Sequence, residues 1–300
     1  MSLLSQITKG KVQRPIAAII YGIDGVGKTT VASQSPNPVF FGPEMGTSRL
    51  DVSRFPQPKV WADAAKAVET LTKEAHDFKT LVIDSLDWLE PILFKAICED
   101  YNVKTIELAG GGYGKGYVKA FEMWSVLKDQ LENLRNVRGM NLVLIAHSEV
   151  VTFLDPSSQL SYQRYEMKLH KRSSALWREY VDSVLFANYE TFAKKDGNNV
   201  LAYSDGARVM HTERRPGWDA KNRFGLPSKM DFSWNALADA IANSDPLSLD
   251  AVRAKIAGLL TCISDNDLLE KAIGAVDKAG DNLAQLNAIA NRLALRIGDA

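Results

Sequence analysis

Gly22-Ile23-Asp24-Gly25-Val26-Gly27-Lys28-Thr29 has the form GxxxxGK[ST], and its reading decides the fold. Ahead of it Ile16-Ala17-Ala18-Ile19-Ile20-Tyr21 is an apolar run of strand type, and behind it Thr30-Val31-Ala32-Ser33 can open a helix. Strand, glycine-rich loop and helix are the setting in which this motif binds phosphate. The glycines let backbone N–H groups turn inward, and the helix N-terminus adds its dipole. On this reading Gly22, Asp24, Gly25, Val26, Gly27, Lys28, Thr29 and Thr30 form the nucleotide-binding loop. Lys28 reaches the β- and γ-phosphates and the Thr29 hydroxyl takes Mg²⁺, so ATP and Mg²⁺ are the expected ligands.

Three hundred residues with 46% hydrophobic content suffice for one sizeable α/β core and an appendage. Lys+Arg and Asp+Glu are both 36, so the formal net charge is zero. A globally basic surface is thereby excluded, and nucleic-acid binding needs a local patch or a groove between subunits. Cys98 and Cys262 are far apart and lack metal-ligand spacing; they read as ordinary thiols of a reducing compartment. There is no run of 18 apolar residues and no signal-peptide hydrophobic region. The expectation is a soluble, cytoplasmic protein without membrane contact.

Residues 1–15 read as a flexible basic leader with Lys9, Lys11 and Arg14. Strands are expected near 16–21, 39–41, 80–85 and 141–147, and helices after the P-loop, over 61–76, 87–100, 118–135 and 174–181. Ala65, Val68, Leu71 and Thr72 share one face of the 61–76 helix. Residues 149–172 look like an irregular excursion. The runs 183–191 and 207–212 read as strands joined across the turn signal Asp196-Gly197-Asn198-Asn199. Apolar strands alternating with helices imply an α/β fold with a mostly parallel central sheet and an antiparallel edge. Beyond Ser244-Asp245-Pro246 only helical periodicity remains. The domains are therefore a core over 16–243 and a small C-terminal helical region over 248–300.

Asp84 ends an apolar strand downstream of the P-loop, the arrangement in which a carboxylate holds Mg²⁺ together with Thr29. Glu44 lies just past the strand after the P-loop helix, at the carboxyl edge where open α/β sheets bind ligands. It can orient and deprotonate an attacking water. Glu149, after the 141–147 strand, is the rival base. His147 ends that strand and could sense the γ-phosphate. In Lys221-Asn222-Arg223-Phe224-Gly225 two cations at i and i+2 project to one side and could act on a neighbouring subunit's phosphate. Arg208, Arg214 and Arg215 enlarge that basic region. Two stretches interleave cations and aromatics as single-stranded nucleic acid requires: Tyr113, Lys115, Tyr117 and Lys119 in the glycine-rich loop, and residues 162–178.

Val82-Ile83-Asp84-Ser85, with Glu44 after the second strand, resembles the RecA/RadA ATPase core; in the AAA+ pattern an acid usually stands where this chain has Ser85. The Lys221 segment is similar to the KNRFG motif of bacterial RadA and to the finger of DnaB-type helicases. The segment order, with Tyr165-Glu166-Met167-Lys168-Leu169-His170-Lys171 included, resembles RecA-like ATPases of the phage Sak single-strand-annealing group, AAA-type phage nucleotide-binding proteins. The resemblance covers about residues 15–242. It implies a RecA-like P-loop NTPase core and an ATP-dependent factor of DNA recombination or annealing. Glu44 would be the base, Lys28 and Thr29 would meet phosphate and Mg²⁺, and Lys221 and Arg223 would act across a subunit interface. Single-stranded DNA and a homo-oligomeric ring or filament are the implied partners, in the host cytoplasm if the chain is phage-encoded. The C-terminal helices could bind a partner such as a single-strand-binding protein or mediate oligomerisation. The alternative reading is a P-loop kinase or nucleotide-dependent switch without a DNA role.

Overall fold

In the computed structural model the described residues are 7, 14–156, 159–196, 199–203, 206–244, 249–261, 263, 266–280, 285–286, 289–290 and 293. The expected leader therefore lies outside them except for Ile7, Arg14 and Pro15, and so do parts of the 248–300 region. Contacts divide the chain into two compact units, Met1–Ala238 and Asp239–Ala300.

The first unit is built on strand β1 (Ala17–Gly22), every residue of which is buried. Its neighbours are β5 (Asn141–Leu154) and β7 (Ser183–Tyr189), both parallel to it. Beyond β5 the parallel order continues through β4 (Thr80–Ile83), β2 (Pro38–Phe41) and the two-residue β3 (Ser53–Arg54). Beyond β7, β10 (Arg208–His211) and β12 (Lys229–Asp231) run antiparallel. The sheet is thus mixed and mostly parallel, as the sequence implies. A strand flanked on both sides and covered on both faces has no solvated position, which is why β1 reads as an unbroken apolar run.

On one face Ala17, Ile19 and Tyr21 join Ile83, Leu144, Ala146 and Phe186 in the main core. It is covered by α2 (Ala62–Lys73), α3 (Leu86–Asp100), α4 (Lys115–Arg138) and α5 (Lys171–Tyr180). Trp124 is fully buried at the centre, edge-on to Trp61 at 4.9 Å and to Trp177 at 5.2 Å between ring centroids. The P-loop helix α1 is short, Lys28–Ser33. In the second unit α7 (Leu249–Leu260) and α8 (Asn266–Ala279) contribute to a separate apolar cluster of Ile256, Ala272, Ala279, Leu286, Ala290 and Leu293. Helix α6 (Trp234–Ser244) precedes it.

Three expectations need correcting. The excursion over 149–172 is largely a ribbon: β5 runs on to Leu154 and pairs antiparallel with β6 (Ser161–Met167), from Ser148↔Met167 to Leu154↔Ser161. The local signal is composition: Val150-Val151-Thr152-Phe153 is a run of β-branched and aromatic residues, the types that strands favour. The Asp196–Asn199 turn signal joins a separate hairpin, β8 (Phe192–Asp196) with β9 (Asn199–Tyr203), and does not link 183–191 directly to 207–212. The buried face of α2 is Ala64, Ala67, Val68 and Leu71, leaving Ala65 and Thr72 half-buried. Among the described residues no helix is long and apolar enough to cross a membrane.

Candidate active site

The loop after β1 needs its glycines for two reasons. Gly25 and Gly27 have φ of +72° and +102°, where a Cβ strains the backbone. Gly22 lies so close to the next strand that a Cβ would stand 2.1 Å from the Ala187 carbonyl oxygen. Lys28, only 5% exposed, donates from Nζ to the carbonyls of Gly22 (3.1 Å) and Ile23 (3.0 Å), closing the loop on itself. Burial lowers its pKa, against the pull of Asp24, Glu44, Asp87 and Asp84.

Thr29 and Asp84 meet as the motif demands. The Thr29 hydroxyl donates to Asp84 Oδ2 at 2.8 Å, while Asp84 Oδ1 is buried with no protein partner. Burial raises the Asp84 pKa to about 6, opposed by the Thr29 hydrogen bond. A hydroxyl beside a buried carboxylate oxygen in need of a partner is the hard-oxygen donor set Mg²⁺ takes, so the residues fit the ion. The chain also approaches closely here: a Cβ on Gly46 would lie 3.2 Å from Thr29 Oγ1.

Glu44 stands on the same side. Its Oε2 is buried without a hydrogen-bond partner, and its Oε1 is 3.8 Å from His147 Nε2. His147 is opposite Gly22 in the β1–β5 register, so the strand between β1 and β4 carries it into the space between P-loop and Asp84. Asp87, on the first turn of α3, accepts the His147 backbone N–H at 3.0 Å and lies 2.9 Å from its Nδ1. Sequence reasoning missed Asp87. Its signal was an acid in the first turn of the helix that follows Asp84. That bond with Asp87 is the main reason the His147 pKa is raised. Arg208, on β10, was also misjudged: its Nη1 would lie 2.9 Å from a Cβ on Gly27, beside the P-loop.

Other candidates lie elsewhere. Glu149 is exposed on the ribbon and lines a different cleft, so it does not join Lys28. Lys221 and Arg223 are at the opposite end of the sheet. Strand β11 (Lys221–Asn222) pairs with the beginning of β7, where Ser183 is level with Ala18, whereas the P-loop leaves the far end of β1. Lys221 Nζ donates to the carbonyls of Arg178, Glu179 and Val181 at 2.9, 2.9 and 2.6 Å. The Arg223 side chain is 56% exposed and lies 3.8 Å from Asp182. These two border a cleft of about 810 Å³ with Arg164, Arg178, Arg214 and Asp219. Of the interleaved aromatics, Trp177 is core, Tyr165 stacks on Phe186 and Tyr117 on His170, while Tyr113 is fully exposed at the loop tip.

The chain is 27% identical over 149 residues to the SPbeta prophage-derived uncharacterized protein YorG of Bacillus subtilis (strain 168). That alignment covers 48% of this chain and 44% of the relative, so it spans less than half of either protein. Among solved structures the RadB recombinase is similar, with a TM-score of 0.40 and 14% identity, over 67% of this chain and 82% of that one. Residues 14–224, the whole span from the first strand to the Lys221 segment, match the family model described as an AAA domain (AAA_24), and the chain belongs to that family.

Proposed function

We propose that this chain is a RecA-like, Mg²⁺-dependent ATPase that acts on DNA in recombination or single-strand annealing. The observation that carries the hydrolytic reading is the buried, unpartnered Glu44 Oε2 in the same site as Lys28 and the Thr29–Asp84 pair. Thr29 and Asp84 would hold Mg²⁺, which supplies charge neutralisation on the phosphates. Glu44 takes a proton from water as the water oxygen bonds to the γ-phosphorus and the bond to ADP breaks. Lys28 neutralises charge on the phosphate oxygens.

The Lys221–Arg223 segment sits a sheet's length from its own P-loop, which supports a role of the exposed Arg223 toward a neighbouring copy in a ring or filament, with Lys221 fastening the segment to the end of α5. The exposed Tyr113 beside Lys115 supports contact with single-stranded DNA through stacking and charge. The prophage origin of the relative accords with a phage protein. The C-terminal unit is then a segment for partner binding or assembly.

One observation favours the kinase alternative. A cleft of about 480 Å³ bordered by Phe55, Arg54, Met45, Glu44 and Asp84 could seat a small acceptor with its hydroxyl against Glu44. One assay separates the readings: ATP turnover with and without single-stranded DNA, beside Glu44→Gln. DNA-stimulated turnover that falls about 10²–10⁴-fold in Glu44→Gln is expected. Phosphate appearing on a small acceptor, with DNA without effect, would give the site to a kinase.

A further inference from the structure

We propose, resting on the ATPase reading above, that Asp87 is a positioning residue of this site: it holds His147 by two hydrogen bonds so that Nε2 alone faces the space where nucleophilic water and γ-phosphate meet. Asp87 is a buried carboxylate, its side chain 3% exposed, and it grips both the backbone N–H and Nδ1 of one residue. That grip fixes the ring plane. It also makes Nδ1 the protonated nitrogen, because a carboxylate accepts and does not donate. The other nitrogen then looks at two more carboxylates, Asp24 Oδ1 at 3.7 Å and Glu44 Oε1 at 3.8 Å.

A lone pair at Nε2 facing two carboxylates is repulsive, whereas an N–H there is attracted to both. The arrangement therefore favours the doubly protonated ring. Every charged neighbour bears on this balance. Asp87 on α3, Glu44 after β2, Asp84 just past β4 and, more weakly, the exposed Asp24 of the P-loop favour the cation, while burial and Lys28 at the start of α1 oppose it. Asp87 counts most, and the net effect raises the His147 pKa. Burial raises the pKa of Asp87, but the hydrogen bonds and charge of His147 outweigh this and lower it. A cationic Nε2–H beside Glu44 is a donor that can turn to a phosphate oxygen once the triphosphate occupies the loop. His147 would then respond to the γ-phosphate, and Asp87 would act only through it.

Asp87→Asn is the informative variant because it keeps the shape. Its amide oxygen can still accept the backbone N–H of His147, but its NH₂ donates to Nδ1 and the negative charge is gone. The neutral ring is then held in the opposite tautomer and the cation is lost at lower pH. Expected are a fall of about 10²-fold in turnover, from misplaced proton donors in the transition state, with nucleotide affinity changed less than about threefold. The alkaline limb of the rate profile should move to lower pH. In a His147→Gln background Asp87→Asn should add nothing further.

Ring-nitrogen NMR of His147, with and without a non-hydrolysable ATP analogue, gives a readout independent of turnover. The ring should titrate at lower pH in Asp87→Asn than in the wild type, and the analogue should shift its signals in the wild type. Identical titration in both proteins would overturn the proposal. So would an equal loss from Asp87→Asn with and without His147. Absence of wild-type turnover, with the NMR differences present, would remove the ATPase reading and leave the positioning of His147 standing.

Discussion

Lys28 and Lys221 are both amines turned onto backbone carbonyls, at opposite ends of one sheet. Lys28 binds two carbonyls of its own loop, and Lys221 binds three at the end of α5. Burial lowers the pKa of both. Their surroundings differ. Around Lys28 stand Asp24, Glu44, Asp84 and Asp87, and two of these carboxylates keep a buried oxygen without a partner. Around Lys221 stand the last carbonyls of a helix, the negative end of its dipole, which a cation stabilises without any ligand. The first lysine belongs to a site that asks for further ligands. The second closes a helix that is complete as it stands. Of the two cations in the Lys221 motif, Arg223 is the one whose head group remains largely exposed.

Lys28→Ala gives the largest break in that comparison. Nucleotide affinity should fall by more than about 10²-fold and turnover should reach background, since the buried charge opposing the phosphates is gone. The melting temperature should hold within a few degrees, because the core of the sheet does not rest on this amine. Nucleotide titration and a thermal melt of the same sample check both halves. Unchanged affinity would mean that the loop does not take the triphosphate.

Arg223→Ala comes next. If this guanidinium reaches a neighbour's phosphate, turnover should fall about 10³-fold while each chain still binds ATP. Mixing Arg223→Ala with Glu44→Gln should restore part of the activity, because some interfaces then pair an intact Glu44 with an intact Arg223. Wild-type turnover in Arg223→Ala, or no gain on mixing, would remove the trans assignment.

These contrasts also show what the sequence made legible. The P-loop, Asp84 and the parallel sheet follow from local signals: a fixed glycine spacing, and apolar runs that only a sheet covered on both faces explains. Glu44 and His147 were legible as strand-end positions, since strand ends in one sheet share an edge. Asp87 was not, because its role depends on the register that sets β5 beside β4, a long-range pairing no local pattern encodes. The Lys221 contacts were hidden for the same reason. They join a two-residue strand to the end of a helix some forty residues earlier. The interleaved aromatics looked alike in sequence, yet tertiary packing buries Trp177 and leaves Tyr113 outside.

Lys221→Met sharpens the comparison with the smallest expected effect. The methionine keeps the apolar stem and removes only the charge and its three hydrogen bonds. The helix end then loses its capping cation, which should destabilise the fold by about 1–2 kcal/mol at this partly exposed position. Chemical denaturation should register that loss, and Arg223→Ala should show much less of it. Turnover per folded molecule should fall less in Lys221→Met than in Arg223→Ala, because a lysine tied to three carbonyls must release them before it can reach a neighbour. If instead Lys221→Met matches Arg223→Ala in lost turnover and leaves stability unchanged, the carbonyl contacts are the resting position of a second finger. Lys221 would then belong with Lys28, among the groups that await a phosphate.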